Sequence, residues 1–307
     1  MTAATDAAGE ILREACGDRV RAGVPMAPLT TFRIGGPAAL FLEPDSIDDL
    51  HGVARAVART GVPVAIVGKG SNLLVADDGF DGIVLRLGRG FRWSAPTGDI
   101  VTAGAAMPLP ALAGIAQQHG LAGLGFGVAI PASLGGAVRM NAGAHDGQMA
   151  DVAETVEVFE LDTDRTHTFS AEEVGFVYRS TALPADGVVV AASLRLRPGD
   201  PEEIRAAMDA ARRWRRETQP VAEPNCGSVF TNPPGEHAAA LIDTAGLKGA
   251  SVGGASVSAK HANFIVTSPD ATAADVRALI ELVRDGVRRA SGIVLQTEVR
   301  TIGSVDV

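Results

Sequence analysis

Apolar positions in the first third of the chain switch between helical and strand spacing. Residues 46–60 have apolar side chains at helical spacing, Ser46 can cap the first turn, and Gly61 ends the segment. Short apolar runs at 62–68 and 83–87 predict two strands that follow this helix. The alternation of strand, helix and strand predicts an α/β or α+β unit.

The second half of the chain has a different order of elements. Runs rich in β-branched residues at 155–162, 166–169 and 188–197 predict a meander of mostly antiparallel strands. Asp200 and Pro201 then predict the start of a long helix, and a domain boundary is expected near residue 200. Beyond that boundary we predict helices at 236–247 and 274–290 and strands at 251–258, 262–267 and 293–302.

Residues 120–147 lie between these regions and are rich in glycine and alanine. The segment contains few large side chains, so it does not resemble an ordinary core segment. Glycine allows a backbone to approach another backbone or a ligand closely. We therefore expect this segment to serve close packing or ligand binding.

Composition narrows the classes of protein that fit. A chain of 307 residues is long for a single core, which favours two or three domains. The net charge of −9 gives no global attraction for nucleic acid. Two cysteines, the absence of a signal-peptide pattern and the absence of a long apolar run favour a cytoplasmic protein without a membrane span.

Two small-residue segments are candidates for phosphate binding. GKGSNLLV, residues 68–75, follows a predicted strand, where backbone N–H groups and the side chains of Ser71 and Asn72 can face an anion. A tight turn without a ligand explains this segment equally well.

The second segment is IPASLGGAVRMNAGA at 130–144. Its glycines can bring backbone donors close to a ligand, Arg139 can supply a charge and Asn141 a hydrogen bond. A packing turn is again the alternative. Two such segments about 60 residues apart favour a large phosphate-bearing cofactor.

EPNCGSVFTNPPG, residues 223–235, places Cys226 two positions before Ser228 in a loop-forming composition. From composition alone the loop is a surface turn. Nothing nearby in sequence predicts activation of the Cys226 thiol.

Seven segments in order resemble the UDP-N-acetylenolpyruvoylglucosamine reductase family, in its shorter, type II form. The resemblance covers nearly the whole chain, and its specificity comes from the order and spacing of the segments rather than from any single one. The segments are TTFRIGGPA (30–38), GKGSNLLV, IPASLGGAVRMNAGA, VYRST (177–181), PNCGSVFTNPP (224–234), GLKGASVGGASVSAKHANFIV (246–266) and LQTEVRTIG (295–303).

The resemblance implies an α+β fold in three domains. Two form an FAD-binding unit of the vanillyl-alcohol-oxidase (PCMH) type, at 1–88 and 89–200, and a C-terminal α/β domain at 201–307 binds substrate, with a final strand that returns toward the flavin. It also implies NADPH-dependent reduction of the enolpyruvyl ether of UDP-N-acetylglucosamine to UDP-N-acetylmuramate, a peptidoglycan precursor. The implied partners are this UDP-sugar, bound FAD and NADPH, and a monomer is expected, with an oligomer left open.

The catalytic residues are implied by matching positions. Ser228 matches the family's proton donor, Arg179 the arginine that pairs with the substrate carboxylate, and Glu298 the glutamate that works beside that arginine. A serine hydroxyl is a poor acid in water, so this role requires close positioning at the reacting carbon.

The resemblance also implies two sets of binding residues. Those expected at the cofactor are Arg33, Gly68, Lys69, Gly70, Ser71, Asn72, Leu73, Gly127, Ile130, Pro131, Ser133, Gly135, Gly136, Arg139, Asn141 and Gly143. Those expected at the substrate are Tyr178, Arg216, Asn232 and Lys260.

For two of the segments expected at the substrate, a purely structural explanation stays open. The arginines at 212–216 also fit a solvated helix end, and Lys260, His261 and Asn263 also fit a strand-entry turn. His261 has no partner at metal-ligand spacing, so no metal is expected.

Four residues, at three places in the chain, depart from the family pattern. Thr231 replaces a frequent basic residue, Gln296-Thr297 replaces an acidic residue and proline, and Val177 replaces a glycine. These departures leave two alternatives: a related flavoenzyme acting on another unsaturated acid, and a UDP-sugar-binding relative without turnover.

Overall fold

The computed structural model describes residues 2–145, 147–305 and 307. The chain divides into two compact units. The first unit comprises the chain up to Ala22, Leu40–Lys69 and Gly82–Trp214. The second unit comprises Gly23–Ala39, Gly70–Asp81 and the chain from Arg215 onward. The three-part division at residues 88 and 200 stays a prediction.

The described residues contain both α-helices and β-strands. The helices are α1 Ala3–Cys16, α2 Ile47–Thr60, α3 Leu109–Gln118, α4 Leu134–Arg139, α5 Ala171–Val174, α6 Pro201–Thr218, α7 Ala238–Thr244 and α8 Ala273–Ser291. The strands are β1 Arg21–Pro25, β2 Pro37–Leu42, β3 Val64–Ile66, β4 Leu73–Val75, β5 Phe80–Leu85, β6 Ser94–Thr97, β7 Ile100–Gly104, β8 Leu121–Ala122, β9 Gly143–Ala144, β10 Gly147–Gln148, β11 Ala153–Glu160, β12 Arg165–Ser170, β13 Gly187–Arg195, β14 Arg197–Pro198, β15 Ser251–Val252, β16 Ala255–Val257, β17 Ile265–Thr267 and β18 Arg300–Ile302.

The first unit is built on a five-stranded antiparallel sheet in the order β12-β11-β13-β7-β6. The predicted antiparallel strands are therefore confirmed, but their order is not a meander, because β13 pairs with β11 rather than with β12. Strand β13, with eight of its nine residues buried or half-buried, lies at the centre of the sheet. One face packs against α3 and α4 around Leu112, Leu134 and Val156. Strand β3 pairs in parallel with β5, in a sheet of order β1-β2-β5-β3.

The helix predicted at 46–60 is confirmed as α2. Ser46 caps it by accepting from the Asp49 N–H at 3.2 Å, and Gly61 ends it in the left-handed conformation. Leu50 and Val53 are buried, and they pack against Leu12 of α1. Local capping and periodicity thus determine this element.

The second unit combines the antiparallel strands β15-β16-β17 with α7 and α8. Apolar side chains of α8, including Val276, Ile280 and Val283, line its core. Asp77 binds the start of α8, since its carboxylate accepts from the N–H groups of Ala273 and Ala274 at 2.7 and 3.0 Å.

Three expectations need correction. The glycine-rich segment does contribute to the core, because Leu121, Phe126 and Leu134 are buried there. Residues 251–258 form a hairpin rather than one strand, because Gly253 turns the chain with a φ of 51°. Only Arg300–Ile302 of the predicted strand at 293–302 is a strand, paired in parallel with β4.

Candidate functional site

The loop at residues 68–72 lies between β3 and β4 and presents five consecutive backbone N–H groups. Across the described residues, none of the five donates a hydrogen bond. Gly70 has a φ of 63°, and a Cβ there would collide with the carbonyl oxygen of Leu29. Only glycine therefore fits this turn.

The charge around this loop fits an anionic ligand. The pKa of the Lys69 ammonium is below its ordinary value because the group is partly desolvated and because Arg92 and Arg86 add positive charge nearby. Consecutive N–H groups together with excess positive charge suit the diphosphate of a dinucleotide such as FAD. The donor set of this loop thus fits the implied cofactor.

Ser133 connects this loop to the second glycine-rich segment. Its Oγ would collide with a Cβ placed on Gly68, so the two segments are in close contact at this point. Ser133 also caps α4 by accepting from the Gly136 N–H at 3.4 Å, while the Gly135 N–H donates to the Ala105 carbonyl at 2.9 Å. The amides of the two glycines thus have partners within the first unit.

Packing explains two other members of the expected cofactor set. A Cβ on Gly127 would come within 2.9 Å of the Leu109 side chain, and one on Gly143 within 2.8 Å of Gln148. Both positions therefore require glycine for close packing, whatever else they contact.

Arg139 lies in α4, and its guanidinium is bound to a neighbouring loop. It donates to the carbonyls of Leu183 and Pro184 at 3.1 and 2.7 Å, and also to that of Gly187. Burial lowers the pKa of the guanidinium. These contacts give Arg139 a structural role, and a charge–cofactor contact stays a prediction.

Arg179 and Asn141 join the turn at 177–180 to the start of β9. The Arg179 guanidinium donates to the carbonyls of Asn141 and Gly143 at 3.3 and 3.1 Å, and it stacks on the Tyr178 ring at 5.1 Å. Asn141, which is 2% exposed, donates to the Val177 carbonyl at 3.0 Å. The structure therefore brings together four residues expected at the site.

The Arg179 backbone has a φ of 57°, which is uncommon outside glycine. Tyr178 beside it is 54% exposed. Two main-chain carbonyls hold the guanidinium beside this turn, and its pairing with a substrate carboxylate stays a prediction.

Ser228 and Glu298 lie in the second unit on two adjacent segments. The Glu298 N–H donates to the carbonyl of Val229, the residue after Ser228, at 2.7 Å, and Phe230 forms a β-bridge with Thr297. Both side chains are half-buried. The structure thus brings together two of the three expected catalytic residues.

Asn72 links the Glu298 segment to the 68–72 loop. Its Nδ2 donates to the Glu298 carbonyl at 3.0 Å, and its own carbonyl accepts from the Arg300 N–H at 3.0 Å. The side chain predicted to face a cofactor therefore supports the backbone of Glu298.

Two asparagines near Ser228 were not predicted as functional. Asn263 is 4% exposed and binds both the N–H and the carbonyl of Phe230. Asn225 accepts from the Gly227 N–H at 2.9 Å and donates to the carbonyl of Glu223. Asn263 is far from Ser228 in sequence, and Asn225 lies in an ordinary loop composition. Sequence reasoning therefore gave no sign of either role.

Cys226 is 2% exposed. Burial, and after it the charge of Glu298, raises the pKa of its thiol far above the ordinary value. This agrees with the expectation that Cys226 has no thiolate chemistry.

Three of the remaining expected residues have local hydrogen-bond partners. Lys260 donates from Nζ to the carbonyl of Arg216, and both residues are exposed. Asn232 accepts from the Ala238 N–H at 3.0 Å at the start of α7. Arg33 is exposed with a φ of 59°. Leu73, Ser71 and Ile130 are half-buried, and Pro131 is exposed.

Among the described residues, no three His, Cys, Asp or Glu side chains are grouped so as to hold a metal ion. No helix in that same part of the chain is long and apolar enough to cross a membrane.

Comparison with known proteins gives the same family across the chain. Residues 38–169 match the FAD binding domain family, and residues 219–302 match the C-terminal domain of UDP-N-acetylenolpyruvoylglucosamine reductase. A UDP-N-acetylenolpyruvoylglucosamine reductase of Heliobacterium modesticaldum is 48% identical over 281 residues, which are 91% of this chain and 89% of that protein. One of Anaeromyxobacter sp. is 45% identical over 295 residues, 96% of this chain and 89% of that protein.

Comparison with solved structures gives the same family. The UDP-N-acetylenolpyruvylglucosamine reductase of Thermus caldophilus superposes with a TM-score of 0.81 at 37% identity, covering 93% of this chain and 99% of that one. The glucose dehydrogenase Phl p 4.0202 has a TM-score of 0.50 at 16% identity over 64% of this chain and 44% of its own, which shows the fold alone.

The FAD-binding fold and its loop suited to a diphosphate define the class of protein: it is an FAD-dependent oxidoreductase. Within that class, the chain belongs to the UDP-N-acetylenolpyruvoylglucosamine reductase family.

Proposed function

We propose that the protein reduces the enolpyruvyl ether of UDP-N-acetylglucosamine to UDP-N-acetylmuramate, with NADPH as the electron donor, in the cytoplasm. The observation that carries the proposal is the 48% identity to a reductase of this name over 91% of the chain. The adjacency of Ser228 and Glu298, which the sequence assigns to catalysis, supports it.

The residues that would hold FAD are those of the 68–72 loop, through their backbone N–H groups, with Lys69 adding positive charge. Bound FAD supplies hydride transfer from NADPH to the enolpyruvyl double bond.

Arg179 binds the enolpyruvyl carboxylate in this proposal. Its guanidinium is planar and already held by the carbonyls of Asn141 and Gly143. It stabilises the negative charge that develops on the carboxylate when a hydride adds to the neighbouring double bond. Glu298 acts on the same carboxylate, by orienting the groups that bind it.

Ser228 completes the reaction. Its Oγ–H bond breaks as a proton moves to the carbon next to the carboxylate, and water then returns a proton to Oγ. The balance is one hydride and one proton added to the double bond, with NADPH oxidised to NADP⁺. Because a serine hydroxyl is a weak acid, this step depends on the geometry of the loop around Ser228.

An absorbance experiment with the purified protein tests the function. We expect a flavin spectrum that NADPH bleaches and that the enolpyruvyl nucleotide restores. A protein that neither contains nor binds FAD would overturn the proposal. Restoration by another unsaturated acid alone would support a related flavoenzyme, and binding of the nucleotide without restoration would support a non-catalytic protein.

The Ser228→Ala variant tests the assigned roles. We expect bleaching by NADPH at nearly the wild-type rate and restoration by the nucleotide slowed about 10²–10⁴-fold, since only the second half-reaction needs the proton. Equal losses in the two half-reactions would argue against Ser228 as the proton donor.

A further inference from the structure

The loop that carries Ser228 is held on its N-terminal side by Asn225, whose Oδ1 accepts from the Gly227 N–H at 2.9 Å. Gly227 precedes the serine with a φ of 81°, and a Cβ there would have no neighbour within 4 Å. Ser228 is half-buried. The contacts on its C-terminal side, at Val229 and Phe230, are the other part of its support.

Asn263 contacts the two residues after Ser228 through three hydrogen bonds. Its backbone carbonyl accepts from the Val229 N–H at 2.9 Å. Its side-chain Oδ1 accepts from the Phe230 N–H at 2.9 Å, and its Nδ2 donates to the Phe230 carbonyl at 2.8 Å. The planar amide thus pairs with both polar groups of one residue, as a neighbouring strand would.

The segment that contains Glu298 forms hydrogen bonds to the other edge of residues 229–231. The Val229 carbonyl accepts from the Glu298 N–H at 2.7 Å, and the Thr231 N–H donates to the Gln296 carbonyl at 2.9 Å. Val229 and Phe230 are therefore enclosed between Asn263 on one side and the Glu298 segment on the other. Val229, the residue after Ser228, is thus joined by hydrogen bonds to both Asn263 and Glu298.

Resting on the proposed function, we propose that Asn263 is a positioning residue for proton delivery: it holds Val229 and Phe230 so that the Ser228 hydroxyl and Glu298 keep a fixed relative placement. Only asparagine offers one donor and one acceptor at this reach. Aspartate lacks the donor, and glutamine is longer by one methylene. Because Asn263 is 4% exposed, solvent does not replace its contacts in the native protein.

Hydrogen bonds within its own segment hold Asn263 in place. Its backbone N–H donates to Nδ1 of His261 at 3.3 Å, and the neighbouring Ser258 N–H donates to the Phe264 carbonyl at 2.8 Å. The segment SAKHANF therefore forms a local structure that presents the Asn263 amide to the Ser228 loop. This gives the segment a function that a strand-entry turn alone does not.

Two variants test the proposal. Asn263→Asp keeps the shape and removes the donor to the Phe230 carbonyl. Asn263→Ser shortens the side chain and leaves room for a water molecule, which can satisfy Phe230 without fixing it. For both we expect bleaching by NADPH within about threefold of wild type, and reoxidation by the enolpyruvyl nucleotide slowed about 100-fold, because a displacement of about 1 Å at the reacting groups has an effect of this size.

Two further readouts separate positioning from general damage. The loss should fall on kcat with KM changed little, because Asn263 is assigned to the proton step rather than to nucleotide binding. The solvent deuterium isotope effect on reoxidation should rise above that of wild type, since proton transfer becomes slower than the other steps.

Thr267→Val is the matched control. Thr267 is buried in the same unit and donates from Oγ1 to the Phe32 carbonyl at 2.6 Å. The variant loses a buried hydrogen bond to the main chain, as the Asn263 variants do, but it does not touch Val229 or Phe230. We expect a lower melting temperature with unchanged half-reaction rates.

Equal slowing of both half-reactions in the Asn263 variants, or wild-type reoxidation in both, would overturn the positioning role. If instead the wild-type protein binds FAD, is bleached by NADPH and is not reoxidised by the nucleotide, the proposed function fails. The two failures are therefore distinguishable in one set of measurements.

Discussion

At the scale of single residues, Cys226 and Ser228 show how two positions in one loop acquire different chemistry. Cys226 is 2% exposed in the core of the second unit, while Ser228 is half-buried. Their sequence context is shared, so the difference comes from which side chain the folded loop turns inward.

Thiol labelling tests this difference. Burial is the main cause that raises the pKa of the thiols of Cys226 and Cys16. The charge of Glu298 raises the pKa of Cys226 further, and the charge of Asp49 raises that of Cys16. Since a raised pKa leaves less thiolate at a given pH, we expect both thiols to react with a water-soluble disulfide reagent at pH 8 on the order of 100-fold more slowly than in denaturant. Rapid labelling of one thiol in the native protein would contradict this.

Several polar residues predicted to contact ligands are bound to the protein itself. Arg139 donates to loop carbonyls, Asn72 to the carbonyl of Glu298, and Asn232 accepts from the start of α7. A motif identifies such positions but does not distinguish a residue that touches a ligand from one that supports the residues that do. The partner atoms lie far away in sequence, so only the fold reveals them.

At the scale of elements, α2 is the segment that local signals specify best. Asp49 lies in its first turn and closes a capping box by accepting from the Asp45 and Ser46 N–H groups at 2.8 and 3.3 Å. Arg19 donates to both of its carboxylate oxygens, at 2.6 and 2.5 Å, beyond the end of α1. The capping signal was readable from sequence, and the pairing with Arg19 was not.

Asp49→Asn tests the contribution of this carboxylate. Burial alone would raise its pKa, but the hydrogen bonds from Arg19, Asp45 and Ser46 lower it overall. We expect the free energy of unfolding at pH 7 to fall by about 2 kcal/mol, measured by urea denaturation. Asp48→Asn, at an exposed position in the same turn, should change it by no more than about 0.5 kcal/mol.

The pH dependence follows from the same carboxylate. Because its folded pKa lies below the unfolded value of about 3.9, its contribution is fully present above about pH 4 and is lost as the pH falls through the folded pKa. The difference in stability between wild type and Asp49→Asn should therefore shrink on acidification below pH 4. A difference that grows there would contradict the assignment.

Strand predictions near the C-terminus failed for identifiable reasons. Within the predicted strand at 293–302, Arg300–Ile302 pair with the short β4 at Leu73–Val75. Residues 296–298 instead pair with residues 229–231 through an isolated β-bridge at Thr297. Strand length is set by the partner available in the fold, which an apolar pattern does not report.

At the scale of the whole molecule, cofactor binding connects the fold to stability. A ligand that binds only the folded protein stabilises it by mass action, by about 2.7 kcal/mol at 100 times its Kd. We expect FAD added to cofactor-free protein to raise the melting temperature by several degrees. Riboflavin, which lacks the diphosphate that the 68–72 loop suits, should raise it less, and an absence of any shift with FAD would contradict the FAD-binding assignment.

Sequence alone determined the family, the mixed α and β class and the helices at 46–60 and 274–290, because motif order, capping residues and apolar periodicity are local properties of the chain. Only the tertiary structure decided that Asn263 binds Phe230, 33 residues away, that Glu298 pairs with the segment after Ser228, and that Arg139 holds the loop at 183–187. Those contacts depend on which backbone groups the packed core leaves facing each side chain. That arrangement is a property of the whole fold and not of any segment.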